Sequence, residues 1–217
     1  MIQFENVTAT YADDVGIFDL SFHIEKGEMV FLMGPTGAGK STILKTIYKD
    51  ILVNDGSLYI DGQDITYMRT RKIPYYRRKI GMIFQDFRLI GDKSVFENVA
   101  LPLHILGLRN KEIKSKVNGI LEKVGLENVK KMSPSQLSGG EQQRVSIARA
   151  LVKDPVVILA DEPTGNLDPN VSDEILDLLE LATQNGTSVL MSTHNFPLIR
   201  PRKKRYIELN GGRLVQK

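Results

Sequence analysis

Eight consecutive residues, Gly34-Pro35-Thr36-Gly37-Ala38-Gly39-Lys40-Ser41, are the stretch of this chain best suited to chemistry. With Thr42 behind them, they fit the spacing G-x-x-x-x-G-K-[ST]. Glycines at these places let the backbone turn until several N–H groups face one phosphate chain, and the helix start behind the loop adds partial positive charge. Lys40 would reach the β- and γ-phosphates of a nucleoside triphosphate, and the Ser41 hydroxyl would hold Mg²⁺. Kinases, GTPases and ATPases all use such a loop. Further along, Asp161 and Glu162 follow the apolar run Val156–Ala160. An aspartate there suits Mg²⁺ coordination through water, and a glutamate beside it is placed to orient or deprotonate an attacking water. The pair can also simply end a strand. A second glycine turn, Leu137-Ser138-Gly139-Gly140-Glu141-Gln142, opens another helix. Ser138 and Glu141 have capping-box spacing. That explains the serine and the glutamate, but not two glycines that each weaken a helix by about 1 kcal/mol relative to alanine. Glycines fit there if something must approach the backbone closely.

These residues need a scaffold, and the periodicities supply one. Phe18, Leu20, Phe22 and Ile24 alternate with polar residues, the period of a half-buried strand. Met29–Met33 is a short apolar strand running into the phosphate loop, followed by a helix with Ile43, Leu44, Ile47 and Tyr48 on one side. Ser57–Ile65, with an Asp61-Gly62 turn, and Lys79–Gln85 read as further strands. From Asp86 to about Arg149 the texture is helical. Ser94 and Glu97 have capping-box spacing, and Ile113, Val117, Ile120, Leu121 and Val124 make a stripe closed by Gly125. The α/β pattern then returns: a buried strand, a helix capped by Asp168-Pro169 and ended by Asn185-Gly186, the strand Thr187–His194, and a hairpin from Tyr206 to Lys217. The expected fold class is α/β, one domain in which residues 86–149 form a helical subdomain inserted into a core built from 1–85 and 150–217.

The composition excludes several classes. Of 217 residues, 41% are hydrophobic and 25% charged, an ordinary globular balance. Without cysteine there are no disulfides, thiolate zinc sites or cysteine nucleophiles. The net charge of +3 gives no argument for nucleic acid. The start, MIQFENVTAT, lacks the pattern of a signal peptide, and the apolar runs fall far short of the roughly 18 residues that span a bilayer. Arg200-Pro201-Arg202-Lys203-Lys204-Arg205 is a basic run, expected to be a solvated loop or, in a sharper reading, a contact for anionic lipid. His23 and His104 are expected to be structural.

The motifs and their order resemble the ABC-type ATPases, over nearly the whole chain. This resemblance implies a RecA-like core with an N-terminal antiparallel β subdomain and a helical subdomain carrying the signature. It also implies ATP and Mg²⁺ as ligands, and a head-to-tail homodimer on ATP binding in which each chain's signature caps the γ-phosphate held by its partner. The second glycine turn would then serve the other subunit's nucleotide. Ser138, Gly139, Gly140 and Gln142 match the signature, and Asp161 and Glu162 match the metal-binding aspartate and the general base. Tyr11 sits where the family stacks an aromatic ring on adenine; a strand-end tyrosine packed in a sheet is the alternative. Gln85 resembles the glutamine that touches Mg²⁺ or the attacking water, and His194 the switch histidine that contacts the γ-phosphate. Asn166-Leu167-Asp168 resembles the segment that crosses the dimer interface. Thr36 and Asn195 depart from the common serine and aspartate.

Thr164–Pro169, TGNLDP, resembles the branch that holds lipoprotein-release, macrolide-efflux and cell-division ATPases. QDFRLI (Gln85–Ile90) is nearest the cell-division pattern. That resemblance implies a peripheral place on the cytoplasmic face of a bacterial membrane and an integral membrane partner of the FtsX type that controls peptidoglycan hydrolysis. A coupling helix of the partner would dock along Phe87–Leu101. An ATPase subunit of a lipoprotein-release or macrolide-efflux transporter is the alternative. A small-molecule kinase would need an acceptor pocket in place of a signature helix. A chromosome-organising head would place a long coiled coil between phosphate loop and signature, and none is present in the sequence.

Overall fold

Apolar residues alternate along one early strand and run unbroken through the next, and the two patterns build two kinds of sheet. The computed structural model describes residues 1–12 and 15–215. Strands β1 (Ile2–Ala12) and β2 (Val15–Ile24) pair antiparallel, and β3 (Met29–Met33) leads through the phosphate loop to α1 (Lys40–Ile47). Next come β4 (Asp55–Ile60), β5 (Gln63–Asp64), α2 (Ile73–Arg77) and β6 (Ile80–Ile83). The helical block is α3 (Val95–Ile105), α4 (Asn110–Lys123) and α5 (Gly139–Leu151). The chain then forms β7 (Val157–Asp161), α6 (Pro169–Gln184), β8 (Ser188–Ser192) and α7 (Phe196–Ile199). It ends in the hairpin β9 (Arg205–Asn210) and β10 (Arg213–Leu214); Gln216 and Lys217 of the expected hairpin lie outside the described residues. One sheet is antiparallel, in the order β2-β1-β4-β5. The other runs β10-β9-β3-β8-β7-β6, parallel from β9 to β6.

Strand β3 is buried throughout because helices cover both of its faces. Val30 and Leu32 pack with Ile43, Leu44 and Ile47 of α1, whereas Phe31 and Met33 pack with Ile175, Leu176 and Leu179 of α6. Truncating one of these side chains to alanine costs about 2–5 kcal/mol. A third core holds the helical block: Ile113, Val117, Leu121 and Val124 are buried, Ile120 is half-buried, and Gly125 turns the chain. Val95 belongs to that core, and Leu89 and Phe96 lie against it. Helix α5 joins the blocks, since Val145 and Ala148 face the helical core while Ile147 and Ala150 face the sheet. It runs to Leu151, past the boundary expected at Arg149.

Two short helices have no signal in the periodicity. Helix α2 satisfies carbonyls at the end of α1: the Tyr76 hydroxyl donates to Ile47 O (2.7 Å), and Arg77 donates to Tyr48 O (2.9 Å) and Lys49 O (3.2 Å). Helix α7 is capped by Asn195, whose side chain accepts from the Leu198 N–H at 3.2 Å, a local use for the residue that departs from the family pattern. His23 and His104, expected to be structural, are both exposed, with His23 3.2 Å from Glu25.

The basic run is not simply a free solvated loop, because part of it is tied to the fold by ion pairs. Arg202 is largely buried and pairs with Asp173 (2.7 Å), Asp177 and Glu180 (3.1 Å) along α6. Burial opposes its charge, but the three carboxylates outweigh burial and hold its pKa above the ordinary value. Lys204 pairs with Glu180 (3.2 Å) and Arg205 with Glu28 (3.3 Å), which leaves Arg200 and Lys203 of this run exposed and without an ion pair among the described residues. Replacing Arg202 by glutamine strips one partner from three carboxylates and is expected to cost about 1–2 kcal/mol of stability, between exposed and buried pairs. Lys203→Gln should change stability by no more than ~0.5 kcal/mol. Urea unfolding measures both, and equal effects would refute the cluster's structural role.

Candidate active site

The ends of β3, β7 and β8 bring the chemistry together, because parallel strands open their carboxyl ends to one side. Beyond β3, Gly34 has φ +145°, and a Cβ there would lie 2.3 Å from the Leu209 carbonyl of β9, so no side chain fits. The loop closes on Lys40, the first residue of α1. Its ammonium donates to the carbonyls of Gly34 (2.8 Å) and Pro35 (3.0 Å) and lies 3.7 Å from Glu162 Oε1. Pro35, Thr36 and Gly37 are exposed at the tip, while Ala38 is buried beneath them. Thr42 is also buried, and its carbonyl accepts from the Thr46 hydroxyl (2.8 Å), within α1.

Asp161 ends β7 with one oxygen shared between two hydroxyls: Ser41 donates to Oδ1 at 2.9 Å and Ser192 at 2.6 Å. Glu162 turns left-handed at φ +47°, a conformation uncommon for a residue with a Cβ. Its N–H is held by the Ser192 hydroxyl (3.0 Å) and carbonyl (3.2 Å). Its side chain is mostly buried between Lys40 and His194, whose Nδ1 lies 3.0 Å from Oε2. Lys40, Ser41, Asp161, Glu162 and His194 thus form one connected group. Gln85 lies beside it: a Cβ on Gly165 would stand 3.3 Å from Gln85 Nε2 and 3.4 Å from the Glu162 carbonyl. Ser192 is the site residue that motif spacing misses. Its trace is a fully buried hydroxyl at the end of an apolar strand.

The second glycine turn stands apart. Among the described residues no hydrogen bond or ion pair joins Ser138, Gly139, Gly140 or Gln142 to the phosphate loop or to the Asp161 group. Ser138 and Glu141 form the expected capping box, and the Ser138 hydroxyl and N–H hold the Glu141 carboxyl below the usual carboxylate range. Gln142 donates to the Leu137 carbonyl at 3.1 Å. Gly140 has a reason within its own chain: a Cβ would meet Val171 of α6 at 2.8 Å. Gly139 is exposed and lies only in ordinary contact with Leu167, so its backbone faces outward. Tyr11 is exposed at the end of β1. It neighbours Thr10, which pairs with Gly16, and β2 there lies against Gly39 of the phosphate loop.

This arrangement has the parts of a phosphoanhydride-cleaving site: a loop of N–H groups with a lysine, a hydroxyl–carboxylate pair, and a second carboxylate next to a histidine. A family model described as ABC transporter matches residues 17–165. The chain belongs to the ABC transporter family and is one of its ATP-hydrolysing ATPase domains. It is 48% identical over 215 residues to the cell division ATP-binding protein FtsE of Escherichia coli (strain K12), covering 99% of this chain and 97% of that one. Its identity to FtsE of Bacillus subtilis (strain 168) is 44% over 217 residues, covering 100% and 95%. Among solved structures, the dimeric post-hydrolysis state of the ATP-binding cassette MJ0796 bound to ADP and Pi aligns with a TM-score of 0.88 at 36% identity, covering 100% and 97%.

Ser192→Ala removes the hydroxyl that holds both Asp161 and the Glu162 N–H. ATP turnover is expected to fall roughly tenfold, because small misplacements of a reacting group are costly. Steady-state hydrolysis checks it, and an unchanged rate would show that β8 does not position the two acids.

Proposed function

We propose that two copies of this chain close head-to-tail around two ATP molecules and drive an integral membrane partner of the FtsX type, which controls peptidoglycan hydrolysis in cell division. The observation that carries the dimer is the separation of the signature turn from the phosphate loop within one chain, with Gly139 facing outward. The dimeric MJ0796 cassette, similar over its full length, supports the same reading. The relatives named FtsE, matched nearly end to end, support the cell-division role over lipoprotein release or drug efflux.

Each residue of the group then has a task. Lys40 exchanges its loop carbonyls for β- and γ-phosphate oxygens. Ser41 and Asp161, hard oxygen donors 2.9 Å apart, fit Mg²⁺, which is commonly held by one or two carboxylates together with substrate phosphates. Bound there, Mg²⁺ would neutralise charge on the phosphates. Glu162 takes a proton from the attacking water, His194 holds that carboxylate and contacts the γ-phosphate, and Gln85 orients the water. Tyr11 stacks on adenine. Ser138, Gly139, Gly140 and Gln142 serve the nucleotide of the facing chain.

A cleft of about 380 Å³ beside the Gln85 loop is the docking place for the partner. Met82, Phe84, Leu101 and Ile105 give it an apolar floor. Arg77, Arg78, Arg88, Arg149 and Lys153 line it as well, with no carboxylate among the lining residues. Arg77 and Arg88 already have acidic neighbours in Asp50 and Asp86, but Arg78, Arg149 and Lys153 have none among the described residues. Burial pushes Lys153 down to about 8, and a carboxylate docked beside it would favour its charged form. The cleft therefore fits an amphipathic helix that carries acidic residues. Among the described residues no helix is long and apolar enough to cross a membrane, and association with the partner places this chain at the cytoplasmic face.

Lys40→Ala should weaken ATP binding at least tenfold, losing a charge-assisted contact. Glu162→Gln should keep ATP bound while hydrolysis falls about 100-fold, as expected for loss of a general base. Normal affinity in the first, or normal turnover in the second, would contradict these roles. Pull-down from native membranes with Glu162→Gln, ATP and Mg²⁺ tests the cellular role: an FtsX-type protein should co-purify, and its recovery should drop when Arg78 and Lys153 are changed to glutamate. Recovery of a lipoprotein-release or efflux permease instead would overturn the cell-division assignment.

A further inference from the structure

Two residues after Gln85 the backbone does something unusual. Phe87 and Arg88 are both left-handed, at φ +57° and +47°, although neither is glycine and both carry bulky side chains. Such a conformation brings Cβ too close to the following carbonyl, and two in succession persist only when the surroundings enforce them. Backbone bonds from the Phe87 N–H to Phe84 O (3.3 Å) and the Arg88 N–H to Asp86 O (2.6 Å) close the turn, and the guanidinium of Arg149 braces it from outside. One terminal nitrogen donates to the Arg88 carbonyl at 2.6 Å and the other to the Phe87 carbonyl at 2.7 Å. Arg149 has no carboxylate partner among the described residues, so this fork is where its charge is spent. Arg88 adds two local ties, its guanidinium 4.0 Å from the Phe84 ring centre and 3.2 Å from Asp86.

Arg149 sits in the last turn of α5, and the first turn of the same helix carries the Ser138–Gly140 signature. One continuous helix of 13 residues therefore has the partner-facing glycine turn at one end and a grip on the Gln85 loop at the other. We infer that Arg149 is a positioning residue: by holding Phe87 and Arg88 left-handed it fixes Gln85 against Gly165, beside Glu162. A displacement of α5 at its signature end then reaches Gln85 through a rigid element and two hydrogen bonds. Arg88 and Arg149 also line the cleft, so an occupant of the cleft bears on the same latch.

The inference rests on the reading that Gln85 takes part in hydrolysis, and the test separates the two. Steady-state ATP hydrolysis is measured for the full chain and for Gln85→Ala, Arg149→Met and Arg149→Lys. Arg149→Met is expected to lower kcat roughly tenfold with KM for ATP within about twofold, because the phosphate loop is untouched and a small misplacement beside the reacting atoms is costly. Arg149→Lys keeps the charge but loses the planar fork, and should fall between. Adding Arg88→Gly to either variant should restore most of kcat, since glycine takes a left-handed conformation without an external grip. A role confined to packing α5 would not be rescued this way. If Arg149→Met folds poorly, Arg149→Lys with and without Arg88→Gly gives the same reading. Lowered kcat in Gln85→Ala with normal kcat in both Arg149 variants would overturn the latch alone, as would a loss that Arg88→Gly does not restore. Unchanged kcat in Gln85→Ala would overturn the Gln85 reading, and the latch with it.

Discussion

One carboxylate oxygen, Asp161 Oδ1, accepts from Ser41 at the start of α1 and from Ser192 at the end of β8. Those two hydrogen bonds tie the phosphate loop, β7 and β8 into a single frame, and the remaining site geometry is set against it. Ser192 also holds the Glu162 N–H, so the second acid takes its left-handed turn from the same support. The frame is stiff because the strands beneath it are buried. Val30 and Leu32 meet α1 on one side, while Phe31 and Met33 meet α6 on the other. A shift of one strand would expose side chains worth about 1.5–3 kcal/mol each in burial. The chemistry therefore sits on the ends of buried, tightly packed strands.

The helical block reaches the frame through α5, which shares its buried face between two cores. Its capped first turn lies against α6 through Gly140 and Val171. Its last turn grips the loop after Gln85. In the proposed dimer, a signature serving the facing chain and a glutamine serving its own site would be the two ends of one helix. This geometry gives a physical reason for the glycine pair: Gly140 has no room for a side chain beside α6, and Gly139 keeps its backbone bare where another molecule can reach it.

Much of this was legible in the sequence wherever the signal was local. The phosphate loop, the Asp161–Glu162 pair, the boxes at Ser94 and Ser138 and the cap at Asp168 all follow from residues within a few positions of one another. Other features depend on partners far along the chain. The run 200–205 reads as a free basic loop until α6 supplies Asp173, Asp177 and Glu180. Ser192 is one hydroxyl in a strand until β7 sets it beside Asp161. Arg149 is an ordinary helix residue until the chain 61 positions earlier brings the Arg88 carbonyl to it. Helix α2 exists to close the end of α1, which no periodicity announces.

Because the chain has no cysteine, introduced thiols can report whether two copies close head-to-tail. One preparation carries Thr36→Cys and another Ser138→Cys, each with Glu162→Gln to retain ATP, and a short bis-maleimide is added to the mixture. A covalent dimer is expected with ATP and Mg²⁺, only when the two preparations are mixed, because in the proposed dimer each phosphate loop meets the signature of the facing chain. A double variant carrying both cysteines that is linked within one chain, with no dimer from the mixture, would contradict it.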